Sequence, residues 1–160
     1  MKPMIRYAAL AALLLCSAGA ASAAVTVTYA QPEHFSDVPF AGWERDKILK
    51  ELDAHFARLA ARLPAGQDLK VEVLDLDLAG QVKHNYGGTQ DLRVLRGRAD
   101  WPHMHLRYTI EQNGQVVKTG DERLSNMSYL ERMNSYERND SLRYEKQMLD
   151  DWFKNKVAMQ

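Results

Sequence analysis

The feature that most constrains this chain is a predicted β-hairpin at Asn113-Gly114. From position 103 to 110, polar and apolar residues alternate, as in a strand with one buried face. The Asn-Gly pair that follows favours a two-residue turn, because both turn positions need a positive φ angle. Residues 115–124 then form the returning strand. The fold must therefore contain an antiparallel strand pair.

Further elements are predicted on both sides of this hairpin. Val25–Tyr29 alternates with period two and predicts a strand. Residues 44–63 carry apolar residues at helical spacing and end at a Pro-Ala-Gly sequence, which predicts an amphipathic helix. A last helix is predicted after Asp140-Ser141, where either residue can cap it.

The segment 69–78 also predicts a strand, but the phase of its alternation changes. Its first three apolar residues point one way, and Leu74, Leu76 and Leu78 point the other. Either a β-bulge lies near Val73-Leu74, or the strand is covered on both faces. A short stretch at 91–96 could form an edge strand.

These elements predict an α+β domain in the order β-α-β-β-β-α. We expect a single-layer, mainly antiparallel sheet of about four strands, covered by two main helices. The first strand, helix and second strand can form a right-handed crossover, which makes that one strand pair parallel.

The N-terminus has the composition of a secretory signal peptide. Lys2 and Arg6 precede an apolar run at 8–15, and small residues follow up to Ala21-Ser22-Ala23. We predict a signal peptide over residues 1–23, cleaved near Ala23, and a periplasmic location. A membrane anchor is the alternative, but the apolar run is far shorter than the roughly 20 residues that span a bilayer.

Cleavage changes the composition of the working protein. Removing 23 of the 160 residues leaves a single predicted domain of 137 residues, 24–160, with no membrane span. It also removes Cys16, the one cysteine, so disulfides and thiolate catalysis are not expected. The full chain has 21 basic and 21 acidic residues, and the lost segment holds two of the basic ones. The resulting net charge of −2 argues against a nucleic-acid partner.

His103 and His105 form the first candidate site. They are two residues apart on a predicted strand, so their imidazoles face the same way, and His84 could add a third. Imidazole is a natural ligand for zinc or copper, so the pair could bind metal. The alternative is a polar strand face that contains two histidines. No other cofactor is expected.

Asp75 and Asp77 form a second pair with the same spacing. Paired carboxylates can divide acid and base roles when their environments separate their pKa values. The alternative is that they form the solvated side of a strand whose buried side is leucine-rich. Neither a nucleophile elbow nor a phosphate-binding loop occurs in the sequence. We therefore expect no catalytic residues and a protein that is not an enzyme.

Arg93, Arg96, Trp101 and Arg107 form a third candidate site. Arginine beside an aromatic ring can bind an anionic group such as a phosphate, a glycan carboxylate or a lipid head group. The alternative is that these arginines form ion pairs with the carboxylates of Asp91, Asp100 and Asp121.

Four stretches of the chain resemble one family of exported bacterial proteins. They are VTVTYAQPEHFSD, LKVEVLDLDLAG, DLRVLRGRADWPHMHLRYTI and LRYEKQMLDDWF. The family is catalogued as domain of unknown function 3016, and the resemblance covers essentially the whole chain after the signal peptide. It implies secretion to the periplasm and a single small domain. It implies no activity and no site residues.

These observations predict a non-catalytic periplasmic domain that binds an envelope protein or an anionic envelope component. A periplasmic metal-binding protein using His103 and His105 is the alternative. A small hydrolase using Asp75 and Asp77 is a third possibility.

Overall fold

The computed structural model describes residues 23–83 and 92–158. Its strands are β1 (Val25–Tyr29), β2 (Gln67–Asp77), β3 (Gln81–Lys83), β4 (Leu92–Val94), β5 (His103–Gln112) and β6 (Gln115–Ser125). Its helices are α1 (Gly42–Ala60) and α2 (Arg143–Trp152), and a π-helical segment, Phe153–Val157, extends α2. Residues 1–22, His84 and Asp91 lie outside the described residues, so the predictions that involve them have no structural counterpart here.

The main sheet has four strands in the order β1-β2-β5-β6. β1 runs parallel to β2, and the other neighbours are antiparallel. The α+β class and the mainly antiparallel sheet are therefore confirmed, and so is the parallel first pair. The stretch predicted as an edge strand at 91–96 contributes β4, which pairs with β3 in a separate two-stranded ribbon.

Both helices pack against one face of the main sheet. The inward side chains of β2 and β5 form a core with the apolar sides of α1 and α2. Trp152 of α2 lies at its centre, edge-on to Phe56 of α1 at 6.3 Å and to Tyr108 of β5 at 5.4 Å between ring centroids. No helix in the described residues is long and apolar enough to cross a membrane.

A β-bulge in β2 explains the phase change in the sequence. The register shifts between Val73, which pairs with Leu106, and Asp75, which pairs with His105. Leu74 is the extra residue. Because side chains alternate along a strand, one added residue exchanges the faces of everything after it. Val73 and Leu76 are thus both buried, although residues three positions apart in a regular strand point to opposite faces.

The other side of the sheet carries polar side chains, which we call the open face. These residues are half-buried or exposed. They are Thr26, Thr28, Lys70, Glu72, Asp75, Asp77, His103, His105, Arg107, Thr109, Glu111, Thr119, Asp121, Arg123 and Ser125. Antiparallel sheets commonly have one solvent-exposed face. Here that face carries most of the candidate site residues that the sequence predicts.

Candidate functional site

The bulge in β2 brings two sequence motifs together on the open face. Asp75 lies directly opposite His105, and Asp77 lies opposite His103. Without the bulge, both aspartates would point into the core beneath the helices. The carboxylate pair and the imidazole pair therefore form one site of four side chains.

A second bulge, in β6, adds Arg123 to this site. The register shifts between Ile110 and Glu111, and Arg123 then pairs with His105. The resulting cavity of about 290 Å³, which we call the histidine groove, is an open depression. Its lining is Asp75, Asp77, His103, Met104, His105, Arg123 and Leu124.

His105 is held in a chain of polar contacts beside the groove. Its Nε2 atom lies 2.6 Å from Oδ1 of Asp121, whose Oδ2 accepts a 3.0 Å hydrogen bond from Nε of Arg107. The hydrogen bonds from His105 and Arg107 lower the pKa of the Asp121 carboxyl, so it stays ionised. Asp121 therefore fixes the positions of both neighbouring side chains.

His103 is held more loosely. Its Nδ1 atom lies 3.6 Å from Oδ2 of Asp77, beyond hydrogen-bond distance, and no described residue accepts from it. Burial raises the pKa of Asp77, and the nearby carboxylates of Asp37 and Asp75 raise it further, while His103 opposes the shift. This end of the groove therefore holds side chains with free hydrogen-bonding capacity.

A loop before α1 closes the same end of the sheet. The backbone N–H of Ser36 donates to Oδ1 of Asp75 at 2.8 Å, and its hydroxyl donates to Oδ2 at 2.7 Å. Asp37 forms an isolated parallel bridge with Asp77. Asp75 thus anchors this loop, which favours a structural role for its carboxylate.

The structure does not gather the four predicted ligand-binding residues in one place. Arg93 points inward and donates to Asp37 at 3.0 Å and to the Ala79 carbonyl at 2.9 Å. Arg96 and Trp101 lie in the loop after β4. Arg107 lies on the open face, paired with Asp121 and with Glu72 at 3.5 Å.

Arg107 forms the expected ion pair with Asp121. For Arg93 the partner is Asp37, which is not one of the three expected carboxylates. Asp100 forms no ion pair with Arg93, Arg96 or Arg107 within the described residues; its carboxylate accepts hydrogen bonds from the backbone N–H groups of Arg96 and Arg98 at 2.6 and 2.9 Å. Those bonds lower its pKa and hold the loop in a turn.

Trp101 lies at the end of the histidine groove. Its ring centroid is 5.6 Å from that of His103, and the ring is half-buried. Its Nε1 atom is buried and has no hydrogen-bond acceptor among the described residues. Two members of the predicted arginine-aromatic site therefore lie near the histidines: Trp101 beside His103, and Arg107 beside His105 through their shared partner Asp121.

The metal prediction rests on His103 and His105 alone. The two described segments contain no group of three or more His, Cys, Asp or Glu side chains arranged to hold a metal ion. Each imidazole is directed toward its own carboxylate, Asp77 or Asp121. Within the described residues, the pair lacks the third protein ligand that a catalytic zinc site uses.

One comparison with known proteins identifies the family of this chain. A family model described as a protein of unknown function (DUF3016) matches residues 23–155. The chain belongs to this family. No curated protein and no solved structure matches it. The DUF3016 region begins where the predicted signal peptide ends, and it spans all the described strands and α2.

Two residues of the candidate site, Ser36 and Asp37, were not predicted, because they belong to a loop that no periodic pattern marks. The sequence grouped Arg123 with the arginine-aromatic site and not with the histidines. Arg123 lies on the returning strand of the hairpin, where a regular two-residue turn would place Glu122 opposite His105. Arg123 lies opposite His105 because of the β6 bulge. Nothing in the sequence at 115–118 distinguishes a bulge from a regular strand.

Proposed function

We propose that this DUF3016 protein is an exported periplasmic domain that binds a cell-envelope partner through the open face, without catalysing a reaction. The observation that carries the proposal is the open face itself. It combines partly exposed donors and acceptors on rigid strands with a shallow groove, and both helices lie on the opposite side. Rigid strands position such groups at little entropic cost on binding.

The polar pattern of the open face favours a polar partner over an apolar one. Most of its charges are already balanced by neighbours, for example Lys70 with Glu111 at 2.6 Å. Arg123 makes no ion pair with any described residue and is exposed. An anionic group of the partner, such as a carboxylate or a phosphate, could form a hydrogen-bonded ion pair with the Arg123 guanidinium.

Export is supported by the sequence pattern of residues 1–23 and by the start of the family match at residue 23. β1 begins at Val25, so a mature chain beginning at Ala24 keeps every described strand. The backbone N–H of Ala24 donates to Asp68 at 2.9 Å, and cleavage after Ala23 would retain this contact.

Site-specific photocrosslinking in cells tests the binding proposal. A photoreactive residue at Arg123 or Thr28 probes the open face, and one at Lys47 or Lys50 of α1 is the matched control on an exposed helix surface. We expect a discrete crosslinked species from the open-face positions only. Equal crosslinking from both surfaces, or none from the open face, would refute the proposal.

A further inference from the structure

β6 forms a long, open edge of the main sheet. It has 11 residues, against five in β1 at the opposite edge, and it contains no proline. No described strand pairs with its outer side. An edge strand presents backbone N–H and C=O groups that can pair with another strand. A bulge at Val117 leaves the segment 118–125 as its regular part.

The sequence at 118–122, Lys-Thr-Gly-Asp-Glu, is complementary to itself when two copies run antiparallel about Gly120. Lys118 of one copy then lies opposite Glu122 of the other, twice. Thr119 lies opposite Asp121, twice, and its hydroxyl can donate to that carboxylate. Opposite-charge and hydrogen-bonded pairs directly across strands stabilise a sheet by roughly 0.2–1 kcal/mol each.

Other registers are less favourable. In paired antiparallel strands, residues directly opposite each other point to the same face of the sheet. A two-fold axis between two copies of one strand must therefore lie midway between a residue and the same residue of the other copy. An axis at Asp121, Glu122 or Arg123 sets two like charges opposite each other. An axis at Thr119 creates no pair of opposite charges. Among the positions from 119 to 123, only Gly120 combines charge complementarity with no like-charge pair.

The packing around Gly120 suits an axis at this position. The ring of Tyr108 covers Gly120, and a Cβ atom there would lie 2.3 Å from Cε1 of that ring. Neither copy therefore has a side chain of its own at the axis. Two copies would each contribute a tyrosine ring on the helix side of the joined sheet.

We propose that two copies of this protein pair through β6 about a two-fold axis at Gly120, forming one continuous sheet of eight main strands. The axis is perpendicular to the sheet, so both open faces lie on the same side. The two histidine grooves then belong to a single extended surface. This dimer does not depend on the proposed function.

Sedimentation velocity over a concentration series tests the proposal with the purified protein. We expect a monomer–dimer equilibrium, because strand pairing alone buries less than the roughly 1,600 Å² of a standard stable interface. Lys118→Glu and Glu122→Lys should each raise the dissociation constant at least tenfold. Lys47→Glu, a reversal on an exposed turn of α1, is the matched control and should leave it unchanged.

Mixing the two variants gives the sharpest result. Chains carrying Lys118→Glu and chains carrying Glu122→Lys are repulsive with themselves, but each complements the other. We expect the mixture, and the double variant alone, to recover dimers. Melting curves check that each variant is folded, since Glu122 also lies 4.0 Å from Lys156. Hydrogen exchange should show concentration-dependent protection at 118–125.

Three outcomes would overturn the proposal. They are a monomer at every concentration, a dimer that neither reversal weakens, or concentration-dependent protection located away from β6.

Discussion

At the scale of single residues, the Tyr108 side chain lies so close to position 120 that only glycine fits there. Gly120 has an ordinary φ angle, and the Tyr108 ring occupies the space that a side chain would need. We predict that Gly120→Ala destabilises the protein by about 1–3 kcal/mol, the usual cost of overfilling a packed site. Urea denaturation measures this loss.

Gly114 is the matched control for this substitution. It has φ +80° in the hairpin turn, and nothing lies within 4 Å of a Cβ placed there. Gly114→Ala therefore tests backbone strain without a steric contact. The steric explanation predicts that Gly120→Ala loses most of its cost when Tyr108 is replaced by Val. An undiminished cost in that background would contradict it.

His55 makes the stability of the protein depend on pH. Its ring is buried between the helices, with Nε2 3.1 Å from Oδ1 of Asp150 and Nδ1 3.0 Å from Nη2 of Arg58. The guanidinium can only donate, so Nδ1 accepts and Nε2 carries the proton of the neutral ring. Burial lowers the pKa of His55, and the charges of Arg58 and Lys146 lower it further, while Asp150 opposes the shift.

A lowered folded-state pKa means that the unfolded chain binds more protons below pH about 6.5, the ordinary histidine value. We predict that the free energy of unfolding falls as the pH drops below that value, by at most about 1.4 kcal/mol per pH unit from this group. Urea unfolding between pH 7.5 and 5 measures the slope. His55→Gln should reduce the slope, whereas His103→Gln, on the half-exposed open face, should retain it. Equal slopes in both variants would exclude His55 as the source.

At the scale of elements, one inserted residue decides which side chains β2 shows to solvent. Deleting Leu74 would remove the extra residue, so Asp75 would follow Val73 directly and would still lie opposite His105. Regular alternation then keeps Asp75 and Asp77 on the open face and Leu76 in the core. We predict that the deletion variant folds and loses about 1–3 kcal/mol, mainly the contacts of the Leu74 side chain.

The substitution Leu74→Ala is the control for this deletion. It keeps the bulge and removes most of the same half-buried side chain, so its cost should be no larger than that of the deletion. Circular dichroism and urea denaturation compare the two. A deletion variant that fails to fold while Leu74→Ala folds would contradict this account of the strand faces.

α2 illustrates how polar residues can serve a fold. Its segment LRYEKQMLDDWF carries part of the family resemblance, yet Glu145, Lys146 and Gln147 are all buried. Glu145 accepts the backbone N–H of Ala79 at 2.7 Å, and Lys146 pairs with Asp140 at 2.7 Å. Burial raises the pKa of Glu145. The first contact joins α2 to the residues that follow β2, and the second joins it to the loop that precedes α2. The segment therefore holds α2 against the side of the sheet opposite the open face.

At the scale of the whole molecule, the proposed export makes a prediction about thiols. A precursor retains Cys16, whereas a chain cleaved after Ala23 has no cysteine. We predict that protein isolated from the periplasm begins at Ala24, contains no titratable thiol, and melts at the same temperature with and without reducing agent. Intact mass measurement and thiol titration check this. A thiol in the exported form would show that cleavage occurs before Cys16 or not at all.

The sequence by itself determined the classes of element, the hairpin and the α+β fold, because these follow from local alternation, helical spacing and turn chemistry. It also limited the phase change in β2 to two explanations. Only the tertiary structure decided that Asp75 and Asp77 meet His105 and His103, that Arg123 joins them, and that Arg93 turns inward to Asp37. Each of these depends on pairing between distant segments, where a one-residue shift moves a side chain to the opposite face. Local sequence pattern records which residues alternate, but the register between strands is set by the packing of the whole sheet against its helices.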